Sequence, residues 1–311
     1  MAEFEHTAVL GAGVIGASWT ALFLAAGRSV AVYDPQDDAE NAVRSYVEMA
    51  WPALEELGLS GGGNPDSVTF HKSAADAVAG AGFIQESVPE RLRLKHTLYS
   101  EIEPVLEEGA VIASSASGLT LSELQGGWKD PSRLVLGHPF NPPHLIPLVE
   151  VMGNDKTAAG IADAAERFYQ AVGKVTIRVN REVPGHVANR LQAAIWREAI
   201  HLVKEGVASV EDVDKAVWAG PGLRWAAMGP TMLFHLGAGE GGLAAFCERY
   251  MDNFNRWWDD LGVLHLDEET ARELIEGVAF EAGNESPARL SEKRDAMITA
   301  MQKATAELRR D

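Results

Sequence analysis

The sequence predicts an α/β protein: a mostly parallel sheet domain over residues 1–184, followed by an all-helical domain over 185–311. Three observations carry this. Short apolar runs alternate with amphipathic stretches as far as Val183, which is the pattern of βαβ units. A glycine-rich turn, Gly11-Ala12-Gly13-Val14-Ile15-Gly16, follows the first run and opens the first helical stretch. After Pro184-Gly185 the strand-like runs stop, and that pair marks the boundary.

The expected strands are Thr7–Leu10, Ser29–Tyr33, Phe83–Ser87, Ala110–Ala113, Leu134–Gly137, Leu145–Val151 and Val175–Val179. Each is short, apolar and bounded by turn residues. Between them Val14–Ala26, Arg91–Glu108 and Thr157–Val172 carry the 3.6-residue apolar period of amphipathic helices, and Ser60–Pro65 is a flexible turn. In the second half Val187–Gly206, Val210–Ala219, Thr231–Tyr250, Glu268–Ala282 and Pro287–Arg309 read as helices. The mixed charges of Glu292–Arg310 suit a solvated helix face.

The 311 residues, 46% hydrophobic and 23% charged, are those of an ordinary two-domain globular chain. A formal charge of −18 argues against a nucleic-acid or anionic-membrane binder. The single cysteine, Cys247, allows no intrachain disulfide and no Cys-rich metal site, and it reads as a small buried residue. No metal site is expected. The acidic start lacks an export pattern, and no apolar run reaches transmembrane length, so a cytoplasmic protein is expected.

In the glycine turn, Gly11 permits the tight bend, Gly13 lets a pyrophosphate approach the backbone, and Gly16 lets helix and strand pack closely. The backbone from Gly13 through Val14 and Ile15 to Gly16 opens the helix, whose N-terminal dipole end attracts phosphate. The run Val30–Asp34 ends in an acid placed to accept from an adenosine ribose and to repel a 2′-phosphate. No Arg or Lys follows in Pro35–Glu40. NAD is therefore expected over NADP in a Rossmann-type domain, with FAD the competitor for the same fingerprint.

His138 stands at the exit of a strand-like run, and Glu150 lies inside an apolar run that should be buried. A buried carboxylate needs a partner, and a histidine steered by a glutamate is a general base. Read as residues alone, the pair is equally a structural His beside a strand-edge Glu. In the same way, Ser117 alone reads as a helix cap and Asn189 as a solvated polar residue.

Six stretches in this order resemble the 3-hydroxyacyl-CoA dehydrogenase family. They are GAGVIG (Gly11–Gly16), QESVPERLRLK (Gln85–Lys95), SSASGL (Ser114–Leu119), GHPFNPPHLIPLVEV (Gly137–Val151), EVPGHVANRL (Glu182–Leu191) and GLRWAAMGP (Gly222–Pro230). The likeness spans nearly the whole chain and is nearest the short branch of L-gulonate 3-dehydrogenases (lambda-crystallin) and L-carnitine dehydrogenases. The resemblance implies NAD-dependent oxidation of a secondary alcohol, with His138 as base and Glu150 as its orienting acid. It implies that Ser117 and Asn189 hydrogen-bond the substrate oxygen, that Glu90 and Lys95 contact the cofactor, and that Asn141 supports the catalytic loop on the cofactor side. Ser115 stands where the acyl-CoA enzymes commonly carry Asn, which leaves a cofactor contact there open. A homodimer through the helical domain is implied, with Met228, Met232, Leu233 and Phe234 suited to core or interface.

The segment Gln36–Ser67 has Arg44 as its sole cation among seven acids, a poor dock for the phosphates of CoA. Arg224 beside Trp225 instead suits the free carboxylate of a small L-3-hydroxy acid, which an Arg can hold bidentately, or else a surface salt bridge. Carnitine-like and gulonate-like stretches are mixed, and the eight tryptophans fit core packing or a cage for a quaternary ammonium. The rival readings are an L-3-hydroxyacyl-CoA (3-hydroxybutyryl-CoA) dehydrogenase and a non-catalytic, crystallin-like NAD-binding protein.

Overall fold

The computed structural model describes residues 4–306 and residue 308. By its contacts the chain forms two units: one runs to Val187 and resumes at Ser291, and the other is Ala188–Leu290.

The first unit is built on an eight-stranded sheet in the order β3-β2-β1-β4-β5-β6-β7-β8. Its strands are β1 (His6–Leu10), β2 (Ser29–Tyr33), β3 (Val68–His71), β4 (Phe83–Glu86), β5 (Val111–Ser114), β6 (Leu134–Pro139), β7 (Leu148–Met152) and β8 (Val175–Arg178). All neighbours are parallel except β6 and β7. The helices are α1 (Val14–Ala25), α2 (Ala39–Glu56), α3 (Ala74–Val78), α4 (Leu92–Ile102), α5 (Leu121–Gln125) and α6 (Ile161–Ala171). Successive strand residues point to opposite faces, so Phe83 joins Trp19, Phe23, Leu54, Phe168 and Tyr169 while Ile84 joins Tyr99, Ile102, Leu121 and Leu124. One core therefore lies on each side of the sheet.

The sequence reading lacks β3. That edge strand is four residues long and buries only Val68, so it carries almost no apolar period. Strand β7 begins at Leu148 rather than Leu145, since Pro142, Pro143 and Pro147 have no N–H to give a ladder. The helix expected over 91–108 stops at Ile102 and tightens to a 3-10 turn, Glu103–Val105, at Pro104.

The second unit holds α7 (Ala188–Lys204), α8 (Val210–Ala219), α9 (Pro221–Ala227), α10 (Pro230–Gly237), α11 (Gly242–Asp260) and α12 (Glu268–Ala282). The single helix expected over 231–250 is two, parted by a glycine-rich corner with Gly239 and Gly242 at positive φ. Cys247 is exposed rather than buried: it lies on the face of α11 that lines an apolar groove with Phe234, Phe246, Tyr250 and Trp258. Met228 and Met232 are exposed too, while Leu233 and Phe234 are half-buried.

The last helix, α13 (Pro287–Thr305), packs with the first unit from Ser291 on. Gln302 Nε2 donates to the Leu145 carbonyl at 2.7 Å. The expected end of this helix, Arg309, and Glu307 lie outside the described residues. Among the described residues no helix is long and apolar enough to cross a membrane.

Candidate active site

Leu10, Glu86, Ser114 and Leu136 stand in one row across β1, β4, β5 and β6. The residues just past that row gather at the C-terminal edge of the parallel strands, where open α/β sheets bind ligands. They include Gly11, Ser87, Ser115–Ser117 and His138.

Gly11 has φ +90°, and a Cβ there would lie 2.7 Å from the backbone of Ser87 and Val88. A Cβ on Gly16 would lie 1.8 Å from the Gly11 carbonyl oxygen. Gly13 has nothing within 4 Å of where a Cβ would stand, and it opens the 12-residue α1 with no side chain capping it. Val14 is exposed in that first turn, with Ile15 half-buried beside it. Asp34 Oδ2 accepts the Ala12 N–H at 2.7 Å, which ties the acid to the turn. Room over Gly13, uncapped N–H groups and a nearby carboxylate fit the pyrophosphate and ribose of NAD.

Glu90 reaches over to Ser117. Its carboxylate accepts the Ser117 N–H, the Ser117 Oγ–H at 2.8 Å and the Gly118 N–H at 3.0 Å. Burial works against its charge, but these donors outweigh it and hold the carboxyl below its usual range. Lys95 is placed differently from the expected cofactor contact. It is 1% exposed, with Nζ 2.5 Å from Glu86 Oε1 and 3.0 Å from the Val88 carbonyl. It braces the loop after β4 from below, because α4 carries it under that loop. Ser115 Oγ is likewise turned inward, accepting from Gln85 Nε2 at 2.9 Å and meeting Ser87 Oγ at 2.9 Å.

His138 and Glu150 face each other across the antiparallel β6–β7 pair. His138 thus sits within its strand, not at the exit. Its Nδ1 is 2.8 Å from Glu150 Oε2, with Glu150 fully buried and His138 5% exposed. A carboxylate accepts, so Nδ1 carries the hydrogen and the Nε2 lone pair is the basic one. Gly137 precedes it because a Cβ there would lie 2.1 Å from Tyr169 Oη. The other carboxylate oxygen accepts the Val187 N–H at 2.9 Å. The segment before Val187 is anchored by Glu182, whose Oε1 accepts from the Ser122 N–H and Oγ–H, each at 2.8 Å.

His186 was not among the expected site residues. It is buried, 5.2 Å ring to ring from His138. Its one sequence signal is a histidine directly after Pro184-Gly185 in a motif already singled out.

The loop after β6 is held from several sides. Lys174 Nζ donates to the Pro143 and Ile146 carbonyls. His144 N–H donates to Ser18 Oγ at 2.8 Å, and its Nδ1 is 2.9 Å from the same oxygen. Ser18 belongs to α1, so the cofactor helix and the loop behind His138 are one hydrogen-bonded body. Asn141 itself is exposed on that loop. In the second unit, Asn189 is half-buried on the first turn of α7, Arg224 is exposed on α9 and Trp225 is half-buried beside it.

Residues 6–183 match the family model of the 3-hydroxyacyl-CoA dehydrogenase NAD binding domain, and residues 185–272 match that of the C-terminal domain. The chain is 46% identical to an L-carnitine dehydrogenase of Streptomyces coelicolor over 304 residues, covering 98% of this chain and 96% of that one. It is 46% identical to another of Nocardiopsis dassonvillei over 303 residues, covering 97% and 92%. Among solved structures it is similar to 5-formyl-3-hydroxy-2-methylpyridine 4-carboxylic acid 5-dehydrogenase, described as an NAD+-dependent dismutase. That match has a TM-score of 0.83 and 29% identity, over 96% of this chain and 98% of that one.

Proposed function

The chain belongs to the 3-hydroxyacyl-CoA dehydrogenase family and is an NAD-dependent oxidoreductase acting on CH–OH, and from that premise we propose that it oxidises the 3-hydroxyl of L-carnitine or a close L-3-hydroxy acid. The observation that carries the chemistry is the buried His138–Glu150 pair at 2.8 Å. When bound, NAD supplies the acceptor for the hydride that leaves C3. His138 Nε2 takes the hydroxyl proton, and Glu150 holds the ring in the Nδ1–H tautomer and offsets the charge that forms. Ser117, anchored by Glu90, serves the substrate oxygen as it becomes a carbonyl, and Asn189 is assigned to that oxygen on the sequence pattern alone. Asp34 and the turn Gly11–Gly16 serve the cofactor.

The substrate reading rests on the two carnitine dehydrogenase relatives and on the acidic Gln36–Ser67 segment, which disfavours a CoA thioester. We assign Arg224 to the substrate carboxylate on the sequence pattern alone. NADH formation is to be measured with carnitine, gulonate, 3-hydroxybutyrate and 3-hydroxybutyryl-CoA. Carnitine should lead, and a dominant rate with the CoA ester would overturn the reading. Arg224→Met should raise KM for the acid about tenfold or more, as expected for losing a charged hydrogen bond, with NAD affinity kept.

We also assign a homodimer to the helical unit. Ile200 and Val213 are its only buried apolar side chains, while Trp218, Trp258, Ile275 and Phe280 are more than 60% exposed. Apolar surface of that extent favours a second copy. Sedimentation equilibrium reads it directly, and a monomer at micromolar concentration would end the assignment.

A further inference from the structure

We infer that His186 is a positioning residue for the acid–base step: its neutral imidazole offers Nδ1 as hydrogen-bond acceptor to protonated His138, directly or through one water. The inference rests on His138 being the base.

The imidazole of His186 is 3% exposed and its ring centre lies 5.2 Å from that of His138. Its Nε2 is 3.4 Å from the Ala116 carbonyl oxygen. A carbonyl can only accept, so Nε2 carries the hydrogen and Nδ1 is a bare acceptor. That Nδ1 is buried with no hydrogen-bond partner among the described residues, a condition few buried polar atoms in proteins are left in. His138, whose ring centre lies 5.2 Å away, can present it with a new N–H once protonated.

The backbone is built for this placement. His186 has φ +48° directly after Gly185 at +73°, a region costly for any residue with a bulky side chain and retained chiefly where something else requires it. The next residue gives its N–H to Glu150 Oε1 at 2.9 Å. One short turn therefore pins the far oxygen of Glu150 and sets an imidazole against His138.

The charged and titratable groups around His186 are His138 of β6, Glu150 of β7 and Glu90 of the loop after β4. The two carboxylates favour a charge on His186. Burial, and after it the neighbouring His138, oppose one and prevail, so its pKa lies below the ordinary histidine range. With His186 neutral, the proton taken up in the proposed reaction stays on the ring that Glu150 holds. An acceptor at His186 stabilises protonated His138 further and makes it a stronger base.

The test is the pH profile of kcat/KM for carnitine oxidation in wild type, His186→Leu, His186→Asn and His138→Gln. In wild type the acid limb reports the base of the free enzyme. Losing the acceptor should move that limb about one unit to lower pH in His186→Leu. The plateau should fall about three- to tenfold, as a weaker base transfers less well. His186→Asn, which tolerates left-handed backbone and keeps an acceptor, should stay nearer wild type. A limb that does not move, or moves to higher pH, overturns the inference while leaving His138 as base. Full turnover in His138→Gln instead overturns the reading beneath it. Should His186→Leu fail to fold, nitrogen-15 NMR of the wild-type imidazoles decides. His186 is expected as a neutral Nε2–H ring across the pH range in which His138 titrates, and a charged His186 there refutes the proposal.

Discussion

Two buried ion pairs lie two strands apart in the same sheet, and they differ in what they leave open. Glu86 of β4 is saturated: Lys95 Nζ and the Val88 N–H reach one oxygen at 2.5 and 2.8 Å, and Tyr99 Oη–H and Ser114 Oγ–H reach the other at 2.7 Å each. Its cation is an ammonium directed at two fixed acceptors, Glu86 Oε1 and the Val88 carbonyl. Glu150 of β7 also spends both oxygens, on His138 and on Val187. Its partner, however, is an imidazole with a second nitrogen that can gain and lose a proton. Burial and pairing alone therefore do not distinguish a functional carboxylate from a structural one. The proposed role of Glu150 rests instead on the kind of partner it has, an imidazole, which suits general-base work.

The largest expected effect breaks the second pair. His138→Gln should lower kcat by about 10³-fold or more, in the range that general-base catalysis supplies, with NAD affinity retained in a fluorescence titration. Glu150→Gln should cost about 10²-fold, because a neutral amide no longer fixes the tautomer or offsets the imidazolium. If either variant turns over at the wild-type rate, the pair is structural like its neighbour. Breaking the first pair should act on stability instead. Lys95→Met strands Glu86 as a buried, uncompensated charge and should cost about 3–5 kcal/mol in urea unfolding. If that variant keeps its stability but loses NAD affinity tenfold, Lys95 belongs to the cofactor after all.

What the sequence made legible follows the same division. The order of strands and helices, the glycine turn and the His138/Glu150 pairing could be read because periodicity and motif spacing encode them. The inward turn of Lys95 onto Glu86 is not legible in the sequence, because a motif position says that a lysine is present, not which way α4 turns it. Glu86, its partner, lies in the stretch Gln85–Lys95, where nothing in the residue pattern marks it as a buried carboxylate. A four-residue strand with one buried side chain, β3, leaves too little pattern to find. His186 was missed for a further reason. Its placement depends on two successive left-handed residues, and backbone conformation of that kind has no periodic trace, though Pro-Gly before a histidine is a hint.

The smallest effect concerns a third histidine, His144, which sharpens the contrast with His138. In the proposed reaction His138 gains a proton in every turnover, with Glu150 beside it to offset the charge. His144 is 4% exposed and has no carboxylate within hydrogen-bonding distance among its partners, Ser18 and Tyr46. Burial pushes its pKa from 6.5 down to about 4. A basic group with a depressed folded pKa is protonated first in the unfolded chain. Between pH 6.5 and about 4 the unfolded state then binds the extra proton, so stability falls as the pH falls through that window. The loss amounts to about 3 kcal/mol at full titration. Urea midpoints between pH 7 and 4 should show this slope in wild type and a flatter one in His144→Gln. Ser18 joins His144 to α1, but folded His144 stays neutral until the pH nears 4. NAD affinity should therefore hold across most of that window and weaken only towards pH 4. If affinity holds even where folded His144 gains its proton, near pH 4, the cofactor helix and the loop behind His138 are not coupled through that bond.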